Sequence, residues 1–164
     1  MMPTSLAGAT NKQRGVTLLE LLIVMTLIAL VTGLSYPSIA SGLDSLRLRS
    51  ASDGIVAFLN TALDRAERRQ QVVEIAILPH ENAITARAAD LGFVRRLDIP
   101  DTISIISVSP SDQGPPDEPR RFLLYPGGSV PRIGIEIANK QGRRRMVSVD
   151  PVTGVPESRV EPQQ

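Results

Sequence analysis

The sequence predicts an α+β chain: a long N-terminal helix, first transmembrane and then amphipathic, packed on a small antiparallel β-sheet domain. Three observations predict it. An apolar block runs from Val16 to Tyr36, 21 residues with a single charge, Glu20. No proline occurs from Ser38 to Leu78, and apolar residues recur there at roughly helical spacing. Beyond Gln71 the pattern changes to short alternating runs, and 11 of the 13 prolines fall after residue 78, where they punctuate turns.

Composition excludes most chemistry. The chain has 164 residues, 42% hydrophobic and 21% charged, which fits one folded domain with an appendage. Only 3% of residues are aromatic and none is Trp, so the core is aliphatic. There is no Cys, which removes disulfides, thiolate metal sites and a cysteine nucleophile. The one His, His80, sits beside Glu81 in a Pro79–Asn82 turn pattern, and no second His exists to build a metal site or triad. Gly127-Gly128-Ser129 lacks the flanks of a nucleophile elbow, and no phosphate-binding glycine motif occurs. Asp112, Asp117 and Glu118 lie in a proline-rich segment that reads as a solvated loop. The expectation is a protein without catalytic residues, metal ligands or cofactor.

The first element is the apolar block. Lys12 and Arg14 precede it, and no charge occurs from Leu21 through Leu43. As a helix of 21 residues it would be roughly 31 Å long, enough to cross a hydrocarbon core of about 30 Å. The basic flank places the N-terminus in the cytoplasm and the remainder outside. A secretory signal is the rival reading, with Ser38-Ile39-Ala40 as a small-x-small cleavage site. Glu20 argues against it. A carboxylate inside an apolar helix is costly, and an ionisable residue there marks function more often than accident.

Gly15-Val16-Thr17-Leu18-Leu19-Glu20, after a basic leader and before an apolar run, resembles the class III signal of type IV pilins and type II secretion pseudopilins. Most relatives have Phe where this chain has Val16. The resemblance implies cleavage by a prepilin peptidase between Gly15 and Val16, N-methylation of the new Val16 amine, and retention in the bacterial inner membrane. The new α-amine would be cationic at the helix start. Glu20 would pair with the same amine of a neighbouring subunit, because a paired charge in low dielectric costs far less than an isolated one. Glu20 is thus the expected assembly residue.

The second element is the outer helical half, 37–71. Pro37 lacks a backbone donor and is expected to kink the junction. Ile39, Leu43, Leu46, Ile55, Leu59, Ala62 and Ala66 form the predicted apolar face. Gly42 and Gly54 weaken the helix locally. Arg65, Arg68 and Arg69 form a basic last turn that complements the helix dipole.

The strands follow in the 72–155 segment. Val72–Leu78 and Ala83–Arg87 flank the Pro79–Asn82 turn, and Thr102–Val108 is the best strand signal in the chain. Residues 109–119 read as an irregular loop. Arg121–Tyr125 ends at Pro126-Gly127-Gly128. Ile133–Ile137 and Arg143–Val149 form a hairpin around Asn139–Gly142, and 156–164 reads as a flexible tail. Phe122–Ser129 and Val147–Gly154 are similar to the Phe-x-Pro-x-Gly segment and the final strand and turn of the GspH/FimT group.

The resemblance implies a minor pseudopilin of type II secretion, at or near the tip of a periplasmic filament. Its partners would be other pseudopilins, the prepilin peptidase and the inner-membrane assembly platform. The alternative is a FimT/FimU-like minor pilin of a type IV pilus, in some cases binding DNA. Losing Lys12 and Arg14 with the leader leaves 16 basic against 17 acidic residues, a net charge of −1. Nucleic-acid binding needs clustered cations, and Arg143, Arg144 and Arg145 are the one candidate cluster, read as a solvated hairpin edge. DNA-binding relatives carry arginines just after the final Thr-Gly, where this chain has Thr153-Gly154-Val155-Pro156-Glu157. Intact mass of membrane-extracted protein separates the two readings of the N-terminus. A chain starting at methylated Val16 is expected; a soluble chain starting at Ser41 contradicts it.

Overall fold

The computed structural model describes residues 16–88, 92–110 and 118–161, and within the helix it describes no side chains from 34 to 41. The elements are one helix, α1 (Leu18–Arg69), and eight strands. The strands are β1 (Val73–Leu78), β2 (Ala83–Ala88), β3 (Val94–Asp98), β4 (Ile103–Ser109), β5 (Arg120–Leu124), β6 (Gly134–Asn139), β7 (Arg144–Val149) and β8 (Pro156–Glu161). The chain divides into two units, Met1–Ala40 and Ser41–Gln164.

In the first unit, α1 carries apolar side chains all round. Twelve large ones from Val16 to Val31 are 45% to 81% exposed. Burying each would gain about 2 kcal/mol, so the set represents on the order of 20 kcal/mol of uncovered surface. Thr26 and Thr32 do not interrupt it. Their hydroxyls donate to the carbonyls of Leu22 (2.7 Å) and Ile28 (2.8 Å), so no polar hydrogen is left seeking water. Among the described residues, no helix is long and apolar enough to cross a membrane. The described side chains of this stretch end at Gly33, and residues 34–36 of the expected span lie outside them. The kink expected at Pro37 also falls outside the described residues.

In the second unit, the helix lies against the expected antiparallel β domain, which is built as two four-stranded sheets. Their orders are β3-β2-β1-β5 and β4-β6-β7-β8. The buried helix positions are Leu48, Ser52, Ile55, Leu59, Ala62 and Ala66, spaced four, three, four, three and four apart. This corrects the predicted face. Leu43 and Leu46 are half or more exposed, because the true stripe runs back from Ile55 through Ser52 to Leu48. A serine on the apolar face disguised the phase. The stripe meets Val73, Ile75 and Ile77 of β1, Ile84 of β2, Ile103 of β4, Ile135 and Ile137 of β6 and Val147 of β7 in one cluster.

Helix α1 stops at Gln70, which takes a left-handed φ of 51°. The Gln71 amide donates to the Ala66 carbonyl (3.2 Å) and the Gln70 amide to that of Glu67 (3.4 Å), satisfying two carbonyls of the last turn. The Glu67 carboxylate accepts from the Gly127 amide (3.0 Å), which ties this turn to the one after β5. Gly127 has φ 64°, a conformation that suits glycine.

Two strands were not foreseen. β3 carries Arg95, Arg96 and Asp98 and shows no apolar alternation, because it is the sheet edge and four of its five side chains are exposed. Residues 156–161, expected as tail, form β8, pairing with β7 from Val149↔Pro156 to Arg144↔Glu161. Pro156 opens the strand, a position where its missing donor is tolerated. It follows that Arg143–Val149 is not a sheet edge and Val147–Val149 is not the final strand. β4 also extends to Ser109, one residue into the expected loop, and residues 111–117 lie outside the described residues.

The two sheets are joined by Asn82. It sits in the β1–β2 turn at φ 49°. Its Nδ2 donates to the carbonyls of Ile99 (3.2 Å) and Ile103 (2.6 Å), and its Oδ1 accepts from the Ile105 amide (3.1 Å). One side chain of the first sheet thereby holds the entry to β4 of the second. Asn82→Gly keeps the backbone conformation and loses the bonds, whereas Asn82→Ala loses both. Urea denaturation in nonionic detergent is expected to show about 2–3 kcal/mol lost for the glycine variant and roughly 1 kcal/mol more for alanine.

Candidate functional site

The first candidate site is the helix start. Val16 and Thr17 are not helical, and α1 begins at Leu18. Thr17 is the cap: its Oγ1 accepts from the Glu20 amide (3.2 Å), and its carbonyl accepts from the Leu21 amide (3.2 Å). Thr17-Leu18-Leu19-Glu20 is thus a capping-box sequence, with the acid in the first turn where the helix dipole favours negative charge. Thr17, already part of the Gly15–Glu20 pattern, thus has a capping role, and threonine three residues before glutamate is itself a helix-start signal. Glu20 is the only acid of that turn. Gly15 lies outside the described residues, so the structure describes the bond's Val16 side alone.

The arginine triplet lies in the second unit, and its members separate. Arg144 faces outward on β7 and pairs with Glu136 on β6 (3.1 Å), a diagonal cross-strand contact. The side chain of Arg143 donates to the Ser45 hydroxyl of α1, and its amide donates to Asn139 Oδ1 (2.9 Å). Arg145 occupies an inward register, directly opposite Val160 of β8. Its Nε (3.1 Å) and Nη2 (2.8 Å) donate to the Ser158 hydroxyl, which donates to Ser52 (3.1 Å), which donates to the Arg49 carbonyl (2.8 Å). A relay of hydroxyls therefore carries β7 and β8 onto the serine that disguised the helix face. This replaces the expected solvated edge: each arginine has an intramolecular contact.

His80 and Glu81 lie in the β1–β2 turn, and Glu81 pairs with Arg96 of β3 (2.9 Å). Among the described residues, no group of acids or His could hold a metal ion. Asp112 and Asp117 fall outside those residues.

Residues 10–36 match the model of the prokaryotic N-terminal methylation motif. That match takes in Gly15 and also Val16, Thr17 and Glu20, which lie at the start of α1. The fold is similar to the type IV minor pilin FimU of Pseudomonas aeruginosa in two crystal forms. One has a TM-score of 0.50 at 15% identity, covering 70% of this chain and 93% of FimU. The other has a TM-score of 0.49 at 16% identity, covering 70% and 88%. No curated sequence matches the chain. The motif match lies within residues 10–36, and the similarity to FimU is one of fold.

Asp150 anchors the turn between β7 and β8. Its Oδ1 accepts from the amides of Val152 (2.7 Å) and Thr153 (3.3 Å), and its carbonyl accepts from the Gly154 amide (2.8 Å). Those amides hold the carboxyl below the usual carboxylate range, with smaller help from the Thr153 hydroxyl and Arg159. Because the folded state binds this proton less readily than the unfolded one, the contribution is complete above the ordinary Asp pKa of about 3.9 and disappears as pH falls through the lower folded value. The stability gap between the natural protein and Asp150→Asn is expected to be constant from pH 7 to pH 5 and to close below pH 4. A gap that widens on acidification contradicts this.

Proposed function

We propose that the chain is a filament subunit made as a precursor. Prepilin peptidase cuts between Gly15 and Val16, the Val16 amine is N-methylated, and the apolar helix holds the subunit in the inner membrane, with its second unit in the periplasm, until assembly. The methylation motif across residues 10–36 is the observation that carries this reading. The geometry supports it in two ways. The helix cap at Thr17 leaves the Val16 side of the proposed scissile bond outside the helix and exposed. The uncovered apolar surface of α1 suits lipid before assembly and neighbouring helices after it.

The function is polymerisation, with no chemistry beyond the processing the chain undergoes. Magnitudes make the membrane stage sustainable. A carboxylate at the centre of a membrane helix costs about 3 kcal/mol on insertion scales, against on the order of 20 kcal/mol for the apolar surface. Glu20 therefore does not prevent insertion, yet its cost is relieved only when a neighbour's N-terminal amine arrives. Glu20→Ala is expected to leave cleavage and methylation intact and to abolish incorporation into filaments, measured by the shearable fraction. Normal incorporation of that variant contradicts the pairing.

Of the two filaments, we infer the type II secretion pseudopilus, in which this chain is a minor subunit at or near the tip. The mature charge of −1 and the lack of arginines after Thr153-Gly154 disfavour DNA uptake, as do the internal contacts of Arg143–Arg145. The fold similarity to FimU favours the second reading, a minor pilin of a type IV pilus. Deleting the gene tests both. Exoproteins that accumulate in the periplasm while motility and DNA uptake persist are expected; normal secretion with failed pili assigns the chain to the pilus.

A further inference from the structure

The first turn of α1 makes a choice between two hydrogen bonds, and the choice bears on the Gly15–Val16 bond. In a helix each amide donates to the carbonyl four residues back. A helix continued toward the N-terminus would send the Glu20 amide to the Val16 carbonyl and the Leu19 amide to the Gly15 carbonyl. Instead, the Glu20 amide donates to Thr17 Oγ1 (3.2 Å). The Leu21 amide then donates to the Thr17 carbonyl (3.2 Å), and Val16 stays outside the helix and exposed. The cap rests on the hydroxyl alone. Among the described residues no bond returns from the Glu20 carboxylate to the Thr17 amide, the second half of a capping box. The sequence offers no substitute that spares the bond. From Leu18 to Met25 there is no Ser, Thr, Asp, Asn or Gly. Upstream, the first residues of capping type are Gly15 and then Asn11. A capping residue gives its own carbonyl to the first helical bond, so a start at Gly15 would take up the Gly15 carbonyl, and a start at Asn11 would enclose it.

We propose that the Thr17 hydroxyl is a positioning group for leader removal. By taking the Glu20 amide it stops α1 short of the Gly15–Val16 bond and keeps the Gly15 carbonyl out of the helix. The inference rests on the processing proposed above and adds what sets its rate. In that hydrolysis the oxygen of water adds to the Gly15 carbonyl carbon, the bond to the Val16 nitrogen breaks, and a proton of the water goes to that nitrogen. A Gly15 carboxylate and the Val16 amine result. A carbonyl held by a helical amide must first be released by local unwinding, and cleavage then falls with the population of the open form. Thr17 and Glu20 thereby divide the work of the turn: the hydroxyl fixes where the helix starts, and the carboxylate is left for another partner.

The test uses the full-length precursor in phospholipid vesicles with purified prepilin peptidase, with intact mass read over time. Four variants are compared with the natural chain. Thr17→Ser and Thr17→Asn keep a capping oxygen, Thr17→Val keeps the shape without it, and Thr17→Ala keeps neither. The Val and Ala variants are expected to be cut about fivefold more slowly, the factor by which a threonine cap biases a helix start. The Ser and Asn variants are expected to be cut at close to the natural rate. In detergent micelles, the 13Cα shifts of Gly15 and Val16 are expected to move toward helical values in the Val and Ala variants alone. Equal cutting of all five chains overturns the inference. So does the reverse order, with Val cut normally and Asn slowly, which makes Thr17 a side chain read by its shape. A natural precursor left uncut between Gly15 and Val16 overturns the processing reading itself, and the role of Thr17 falls with it.

Discussion

The rest of this molecule depends on a helix surface that water cannot cover. From Val16 to Val31 the apolar side chains point in every direction, with no polar stripe to face solvent. Thr26 and Thr32 preserve that condition by returning their hydroxyls to the backbone. In the proposed function, lipid would cover this surface before assembly and neighbouring helices after it. Glu20 is the one charge placed against this constraint. It stands in the first turn, where its cost is least and where an incoming α-amine would meet it.

The second unit solves a different problem: two sheets with little aromatic bulk must share one small core. The outer half of α1 supplies the common wall through Ile55, Leu59, Ala62 and Ala66, whose small and branched side chains admit strands from both sheets. Polar staples then fix what aliphatic packing leaves loose. Asn82 holds β4 to the β1–β2 turn, Glu67 holds the turn after β5, and Arg145 joins β7 through Ser158 to Ser52 of the helix. Each staple connects elements far apart in sequence, which gives one arrangement to a core that could otherwise slide.

Much of this was legible in the residues. The helix, six of the strands and the pilin-like α+β class follow from periodicity, proline placement and the Gly15–Glu20 pattern. The failures have physical causes. β3 and β8 are sheet-edge strands, where solvent accepts Arg, Asp and Glu and the alternation that betrays a strand is erased. The helix phase was misread because Ser52 occupies a buried position, bonded to Ser158, while Leu46 occupies an exposed one. Arg143–Arg145 looked like one cluster because they are adjacent in sequence. A strand sends neighbours to opposite faces, so Arg144 pairs outward and Arg145 turns inward. Sequence spacing alone shows the charges and hides the contacts that occupy them.

The central claim is that Glu20 meets the N-terminal amine of an adjacent subunit. Zero-length carbodiimide coupling of sheared filaments, followed by peptide mass spectrometry, tests it most directly, because only a carboxylate and an amine already in contact are joined. The account predicts an amide between the Glu20 side chain and a neighbouring subunit's methylated N-terminal residue, lost when that neighbour's amine is blocked beforehand. Filaments in which Glu20 couples elsewhere, or in which that amine couples to a different carboxylate while Glu20 stays unmodified, would contradict it.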